Sequence, residues 1–237
     1  EQMQKNMRNW RKNAHPMDVL QAFVAALAGY YDEQGTEKEI SQQRAINLIA
    51  KVPTIISSWE RVRNDKEPIQ PDPELSHASN FLYMLTGNKP DKEMERVFDV
   101  CLILHADHTF NASTFAAREV ASTRAHMYSA VSAAVGALSG ELHGGANYEV
   151  MKMLLDIKNE DNAKEWVKSK IENGDRIMGM GHAVYKTVDP RSMVLKELSK
   201  KLSKKTGLPW FEITKKVEET TAEIMKNRKE RDIFPNV

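Results

Sequence analysis

The chain has 237 residues, with 34 Lys and Arg against 33 Asp and Glu, so its formal net charge is +1. The length suits one large domain or two smaller ones, and the balanced charge gives no reason to expect nucleic acid or a membrane as a partner. The single cysteine, Cys101, excludes a disulfide framework, and no apolar stretch reaches roughly 18 residues, so we predict a soluble, cytoplasmic protein.

Apolar residues recur at spacings of three and four along most of the chain, which predicts an all-α fold. The run from Met17 to Leu27, directly after Pro16, predicts the first long helix. Thr36 and Glu39 have the spacing of a capping box and predict the start of the next one. Pro53 is expected to end or kink that helix.

A proline-rich linker follows at Glu67 to Pro73, and two helices are predicted after it, from Ser76 to Leu85 and from Asp91 to Leu104. Between Ala112 and Gly140 the residues are mostly small. Small side chains let helices approach closely, so a buried central hub is expected there. The remaining helices are predicted near Tyr148–Ile157, Ala163–Glu172, Pro190–Lys205 and Pro209–Lys229.

Three histidine-containing segments stand out, because each places His beside Gly, Asp or Asn at a predicted helix boundary. They are His105–His108, Leu142–Asn147 and Gly179–Tyr185. Helix boundaries bring side chains and free backbone N–H groups together around ligands. None of the three has the spacing of a zinc motif such as His-Glu-x-x-His, so no metal site is predicted. A single such His is more often structural, but three together favour a functional site.

Glycines next to two of these histidines would allow a ligand to approach the backbone. Gly144 and Gly145 precede a predicted helix, whose N–H groups could face a developing negative charge, with His143 in an oxyanion-stabilising position. Gly179 and Gly181 also permit close contact, although no predicted strand precedes them to support a dinucleotide fold.

Asp189, Pro190 and Arg191 open a predicted helix, with Asp189 in the capping position. Arg191 is therefore held on a rigid element. It could clamp a ligand carboxylate or pair with a surface acid, and the sequence leaves both interpretations open.

Taken in order, these motifs resemble the signature of the citrate synthase family, which includes 2-methylcitrate synthases. The resemblance extends along nearly the whole chain. The segments that carry it are Ser76–Gly87, Leu104–His108 with Asn111–Thr114, Leu142–Asn147, Gly181–Lys186 and Asp189–Arg191.

The resemblance implies an all-α, multihelical fold with a large domain and a smaller mobile domain, in a homodimer. Residues 1–143 would form part of the large domain, and residues 144–237 would form the small, CoA-binding domain without its return to the large one. The chain resembles an internal fragment that lacks both ends of the family sequence.

The resemblance also implies roles for individual residues. His143 would hydrogen-bond the thioester oxygen of acetyl-CoA and stabilise its enol, and His182 would activate the carbonyl of oxaloacetate. His108 and Arg191 would bind oxaloacetate. These roles fit the chemistry, since a neutral His donor suits an oxygen that gains charge and Arg suits a planar carboxylate.

The CoA-binding residues implied by the resemblance lie in one segment. The backbone of Ile177-Met178-Gly179-Met180-Gly181 would recognise the adenine end of CoA, and Lys186 would meet its phosphates. Ala183 departs from members that carry Arg at this position, so the phosphate contacts can differ here. Acetyl-CoA and CoA would be substrate and product, with no tightly bound cofactor and no metal.

Family members continue after a Pro-Asn-Val segment with the aspartate that removes the methyl proton of acetyl-CoA, and this chain ends at Pro235-Asn236-Val237. We therefore expect the 237 residues alone to be inactive. The parent protein is expected to be an acyltransferase that makes citrate from acetyl-CoA, oxaloacetate and water. The alternatives are a 2-methylcitrate synthase that uses propionyl-CoA, which a pocket distinguishes by only roughly 1–3 kcal/mol, and a noncatalytic helical module or split subunit.

Overall fold

The computed structural model describes residues 2–31, 37–106, 109–181, 188–228 and 234. Within these ranges all the regular elements are helices, which confirms the predicted all-α fold class. The chain divides into two compact units, Glu1–His143 and Gly144–Val237.

The first unit contains seven α-helices and one 3-10 helix in its described part. These are α1 (Gln2–Met7), α2 (Pro16–Ala26), the 3-10 helix (Leu27–Tyr30), α3 (Lys38–Arg63), α4 (His77–Thr86), α5 (Lys92–His105), α6 (Ala112–Ser122) and α7 (Met127–Leu138). The described part of the second unit contains four, namely α8 (Gly145–Ile157), α9 (Glu160–Glu172), α10 (Pro190–Thr206) and α11 (Trp210–Asn227).

Polar capping residues explain where several of these helices begin. The side chains of Ser76, Asp91 and Asn111 accept hydrogen bonds from the first backbone N–H groups of α4, α5 and α6. Each cap satisfies donors that have no partner inside the helix. Gly87 ends α4 in the left-handed conformation at φ 89°. The predicted helices at Ser76–Leu85 and Asp91–Leu104 are confirmed to within a residue or two at each end.

Helix α3 continues through Pro53, the residue at which an end or a kink was predicted. It begins at Lys38 with Glu37 as its capping residue, and Thr36, the predicted cap, lies outside the described residues. It does not end at Pro53 but continues to Arg63. Pro53 removes one backbone donor. The turns that follow it bury Ile55 and Trp59, so packing offsets the missing hydrogen bond.

The core of the first unit lies where α2, α3 and α7 meet. Helix α2 contributes Val19, Phe23 and Val24, which are fully or almost fully buried, and α3 contributes Trp59. Small residues let α2 and α7 approach closely, and the Ser132 hydroxyl of α7 donates a hydrogen bond of 3.0 Å to a backbone carbonyl of α2. This packing gives α7 a fixed position in the unit.

The expected buried hub between Ala112 and Gly140 is only half correct. Helix α7 buries Tyr128, Ala130 and Val135, but α6 has no buried residue, and Phe115 on α6 is 57% exposed. Small residues let α6 pack against α7 on one side, while its other side faces outward. The composition predicted the close approach of the two helices but not which faces would be covered.

The core of the second unit is formed by α8, α9 and α11. Ile157, Val167 and Ile213 have no exposed surface, and they pack in one cluster with Met153 and Leu154. Helix α10 buries none of its own residues, although Asp189 immediately before it is buried. The stability of this unit therefore depends chiefly on the three-helix cluster.

Replacing Ile157 with alanine is expected to lower the free energy of unfolding by about 2–5 kcal/mol, because a fully buried side chain would leave a cavity. Leu155 lies on the same helix and is 53% exposed. Leu155→Ala is the matched control and should cost below about 1 kcal/mol. Urea unfolding followed by circular dichroism measures both, and equal losses would contradict the assigned core.

Among the helices in the described ranges, none combines the length and the apolar character that crossing a membrane requires.

Candidate active site

His143 lies at the end of the first unit and contacts a side chain from α6. Its Nε2 atom is 2.5 Å from the hydroxyl oxygen of Ser113, the second residue of α6. Asn111 caps the start of α6 by accepting from the Thr114 backbone N–H at 3.0 Å, which fixes the first turn that carries Ser113. The backbone N–H of His143 donates to the Gly140 carbonyl at 2.9 Å. His143 is thus held both through its imidazole ring and through its backbone.

This contact has a chemical consequence for the imidazole. A neutral imidazole has one N–H donor and one acceptor nitrogen, and the partner of one nitrogen decides the role of the other. If the Ser113 hydroxyl donates to Nε2, the ring proton resides on Nδ1. His143 can then present a neutral N–H donor to a ligand oxygen.

Gly144 and Gly145 follow His143 and begin the second unit. Gly144 precedes α8 as its capping residue, at φ −63° and ψ −22°, and makes no side-chain capping bond. These angles are open to any residue. The backbone of Gly144 therefore does not require glycine, and the predicted approach of a ligand at Gly144 and Gly145 stays a prediction.

The segment predicted to bind CoA forms a turn in the second unit between α9 and α10. Ile177 is buried and anchors the turn in the core cluster. Gly179 and Gly181 have φ values of 78° and 83°, in the left-handed region that favours glycine. A Cβ atom on Gly179 would lie 3.1 Å from a methyl carbon of Val150, so this glycine also permits close packing.

Backbone hydrogen bonds hold the rest of this turn. The Met180 N–H donates to the Ile177 carbonyl at 3.3 Å, and the Gly181 N–H donates to the Phe234 carbonyl at 2.8 Å. The side chain of Met180 packs against the core cluster. The segment predicted to bind adenine is therefore a turn held in place by backbone hydrogen bonds and by side chains packed on the core.

Arg191 pairs with Asp189, the residue that caps its own helix. Its Nη2 is 2.7 Å from one carboxylate oxygen of Asp189, and its Nε lies 3.1 and 3.2 Å from the two oxygens. Both side chains are largely shielded from solvent. Asp189 therefore caps the helix as predicted. Of the two interpretations of Arg191, the structure shows the pairing with an acid, although that acid is buried.

The other predicted site residues, His108, His182 and Lys186, lie outside the described residues, as does Ala183. Groups of three or more His, Cys, Asp or Glu side chains that could hold a metal ion do not occur in the part of the chain that the structure describes.

Cys101, the single cysteine, is partly buried. Burial raises the pKa of its thiol, which keeps the sulfur protonated near neutral pH.

Two side-chain contacts of the candidate site go beyond what the sequence predicted, namely Ser113 with His143 and Asp189 with Arg191. The contact of Ser113 with His143 spans 30 positions, and no local pattern in the sequence predicts it. The pair formed by Asp189 and Arg191 could have been predicted. An Asp cap followed two residues later by Arg places both charged groups in the same turn.

Known proteins match this chain along its length. The family model described as citrate synthase, C-terminal domain, matches residues 1–237. A citrate synthase of Synechocystis sp. is 43% identical over 98% of this chain and 58% of its own length. A citrate/2-methylcitrate synthase of Bacillus subtilis is 42% identical over 83% of this chain and 53% of its own length.

A solved structure supports the same relationship. It is the citrate synthase of Thermoplasma acidophilum in a ternary complex with carboxymethyl coenzyme A and oxaloacetate. It matches with a TM-score of 0.90 and 31% identity, over 100% of this chain and 62% of that one. The chain thus spans about three fifths of the length of its relatives. On the family match and these identities, the chain belongs to the citrate synthase family.

Proposed function

We propose that the protein is a citrate synthase, which condenses acetyl-CoA with oxaloacetate and water to give citrate and CoA. The observation that carries this proposal is the contact between Ser113 and His143, which orients a histidine at the position where the family uses one. Because the chain spans 58% of the Synechocystis relative, we assign turnover to the protein expressed from its complete reading frame. We expect none from the 237 residues alone.

His143 would act on the thioester. With the Ser113 hydroxyl donating to Nε2, its Nδ1–H can donate to the thioester oxygen of acetyl-CoA. That oxygen gains negative charge when a base removes a methyl proton, and a donor already in place stabilises the enol. The enol carbon then attacks the carbonyl carbon of oxaloacetate, and water releases CoA from the resulting thioester.

Arg191 would bind a carboxylate of oxaloacetate, together with His108, and His182 would activate its carbonyl. The geometry of Arg191 supports this role in part, because its guanidinium is held on the first turn of α10 rather than on a mobile chain. The roles of His108 and His182 rest on the resemblance to the family.

The turn from Ile177 to Gly181, with Lys186, would bind CoA. Its support is the left-handed backbone at Gly179 and Gly181, two positions at which the turn carries no side chain. CoA would enter and leave as part of substrate and product, so no tightly bound cofactor is proposed.

We further propose that the two units are parts of a large and a small domain, in a cytoplasmic homodimer that needs neither metal, nucleic acid nor membrane. The homodimer is supported by an apolar groove of about 510 Å³ in the first unit, whose lining includes Leu48, Ile49, Phe81 and Met127. Apolar surface of this kind is commonly covered by a partner or by further chain.

Replacing Ser113 with alanine is expected to lower kcat about tenfold, because the imidazole loses the bond that sets its tautomer and orientation. KM for oxaloacetate should change less than about twofold. Steady-state kinetics of the protein from its complete reading frame measure both. Ser129→Ala, which removes another hydroxyl near a histidine of the first unit, is the control and should leave kcat unchanged.

A second candidate activity is 2-methylcitrate synthesis from propionyl-CoA. The observation that favours it is the match to the Bacillus subtilis citrate/2-methylcitrate synthase. Mass spectrometry of the products from acetyl-CoA and propionyl-CoA, each with oxaloacetate, decides between the two. If more citrate than 2-methylcitrate forms, the result supports the proposal. If more 2-methylcitrate than citrate forms, the result supports the second candidate. If neither product forms from the folded protein, the alternatives are a noncatalytic helical module or a subunit of a split enzyme.

A further inference from the structure

Asp189 is fixed in place more firmly than helix capping requires. Its carboxylate oxygen Oδ1 accepts the Arg191 backbone N–H at 3.0 Å, which caps α10. Its carbonyl accepts the Ser192 backbone N–H at 2.9 Å and the Ser192 hydroxyl at 2.7 Å. Pro190 restricts the backbone between them. Both the main chain and the side chain of Asp189 are therefore held.

The same carboxylate forms a side-on pair with the Arg191 guanidinium. Nη2 donates to Oδ2 at 2.7 Å, and Nε donates at 3.1 and 3.2 Å to the two oxygens. Asp189 has a side-chain exposure of 1% and Arg191 of 12%. A paired, bidentate geometry of this kind fixes the plane of the guanidinium as well as its distance.

Capping alone does not explain a carboxylate at this position. Ser and Asn cap helices about as well as Asp does, and in this chain Ser76 caps α4 and Asn159 caps α9. Burying a carboxylate is unfavourable unless it is paired. Compared with a neutral cap, Asp189 adds a charged contact with the Arg191 guanidinium.

The contact with Asp189 uses the Nε and Nη2 atoms of the Arg191 guanidinium. An unrestrained arginine loses rotamer freedom when it binds a ligand, whereas an arginine already held in one orientation loses less.

We propose that Asp189 is a positioning residue for oxaloacetate binding, which holds the Arg191 guanidinium in the orientation that meets a substrate carboxylate. This inference rests on the proposed function. It assigns to Asp189 a role through Arg191 and no direct contact with the substrate.

The test uses the protein from its complete reading frame, with Asp189→Ser and Asp189→Asn. Both replacements keep a side chain that can cap α10, and both remove the charged pair. We expect KM for oxaloacetate to rise about tenfold for Asp189→Ser and less for Asp189→Asn, whose amide oxygen still accepts from Arg191. KM for acetyl-CoA and kcat should each change less than about twofold.

Asn159→Ala is the matched control, because it removes the cap of α9 in the same unit. It should lower the melting temperature and leave KM for oxaloacetate unchanged. In an Arg191→Ala background, Asp189→Asn should have no further effect on KM, since the residue that it positions is gone.

The outcomes separate this inference from the function on which it rests. If Arg191→Ala raises KM for oxaloacetate but both Asp189 variants leave it unchanged, the positioning role is refuted and the proposed function stands. If Arg191→Ala leaves that KM unchanged, both the assignment of Arg191 and this inference fail. If Asp189→Ser does not fold, Asp189→Asn, which preserves shape and cap, decides alone.

Discussion

Replacing His143 with alanine is expected to lower kcat by about 100- to 10,000-fold, the range in which a positioned proton donor or oxyanion-stabilising group contributes. The reason is that the thioester oxygen would lose its donor when charge develops on it. KM for acetyl-CoA should change much less, because the donor acts mainly on the transition state. Steady-state kinetics of the protein from its complete reading frame measure both quantities.

His126 offers a matched control for this experiment. It belongs to the same unit, and its side chain caps α7 by accepting the Ser129 backbone N–H at 3.2 Å. His126→Ala should cost about 1 kcal/mol of stability through the lost cap and leave kcat within about twofold. A folded His143→Ala enzyme that kept most of its activity would contradict the assignment of His143.

Replacing Gly179 with alanine is expected to raise KM for acetyl-CoA by about 10- to 100-fold. Two effects combine here, since a side chain at φ 78° is strained and the new Cβ would lie 3.1 Å from Val150. The turn from Ile177 to Gly181 would shift, and displacements of about 1 Å in binding groups cost up to about 100-fold. Kinetics at saturating oxaloacetate measure the effect.

Gly174 provides the control for Gly179. It has the same φ of 78°, but a Cβ atom there would meet nothing within 4 Å. Gly174→Ala should therefore show the backbone strain alone, as a loss of about 1–2 kcal/mol in stability, without a change in KM for acetyl-CoA. Similar KM values for the two variants would contradict the assignment of the Ile177–Gly181 turn to the proposed CoA site.

Local signals in the sequence predicted most of the helices because their boundaries are decided by short-range chemistry. Ser76 and Asp91 each satisfy N–H groups within three residues, and Gly87 stops α4 by its own backbone preference. Such signals need no knowledge of the rest of the fold.

Predictions that depend on tertiary packing were less successful. Of the end or kink predicted at Pro53, the end does not occur, because buried residues on the following turns keep α3 continuous. Helix α6 is rich in small residues like α7, yet only α7 has buried ones. Composition describes what a helix can pack against, whereas burial depends on which neighbours are present.

The candidate site shows the same difference between features set by local sequence and features set by tertiary packing. The histidine and glycine motifs identified His143 and the turn at Gly179, since glycine and helix boundaries leave a local pattern. The partner of His143 could not be predicted, because Ser113 is 30 residues away and reaches it only through the packing of the unit. Asp189, which pairs with Arg191, lies only two residues away, so a local pattern does contain this contact.

The proposed reaction joins acetyl-CoA to oxaloacetate. The most direct measurement is the initial rate of CoA thiol release from acetyl-CoA by the protein from its complete reading frame, with and without oxaloacetate. We predict turnover on the order of 1–1,000 per second that requires oxaloacetate. Thiol release at the same rate without oxaloacetate, or none with it, would contradict the proposed condensation.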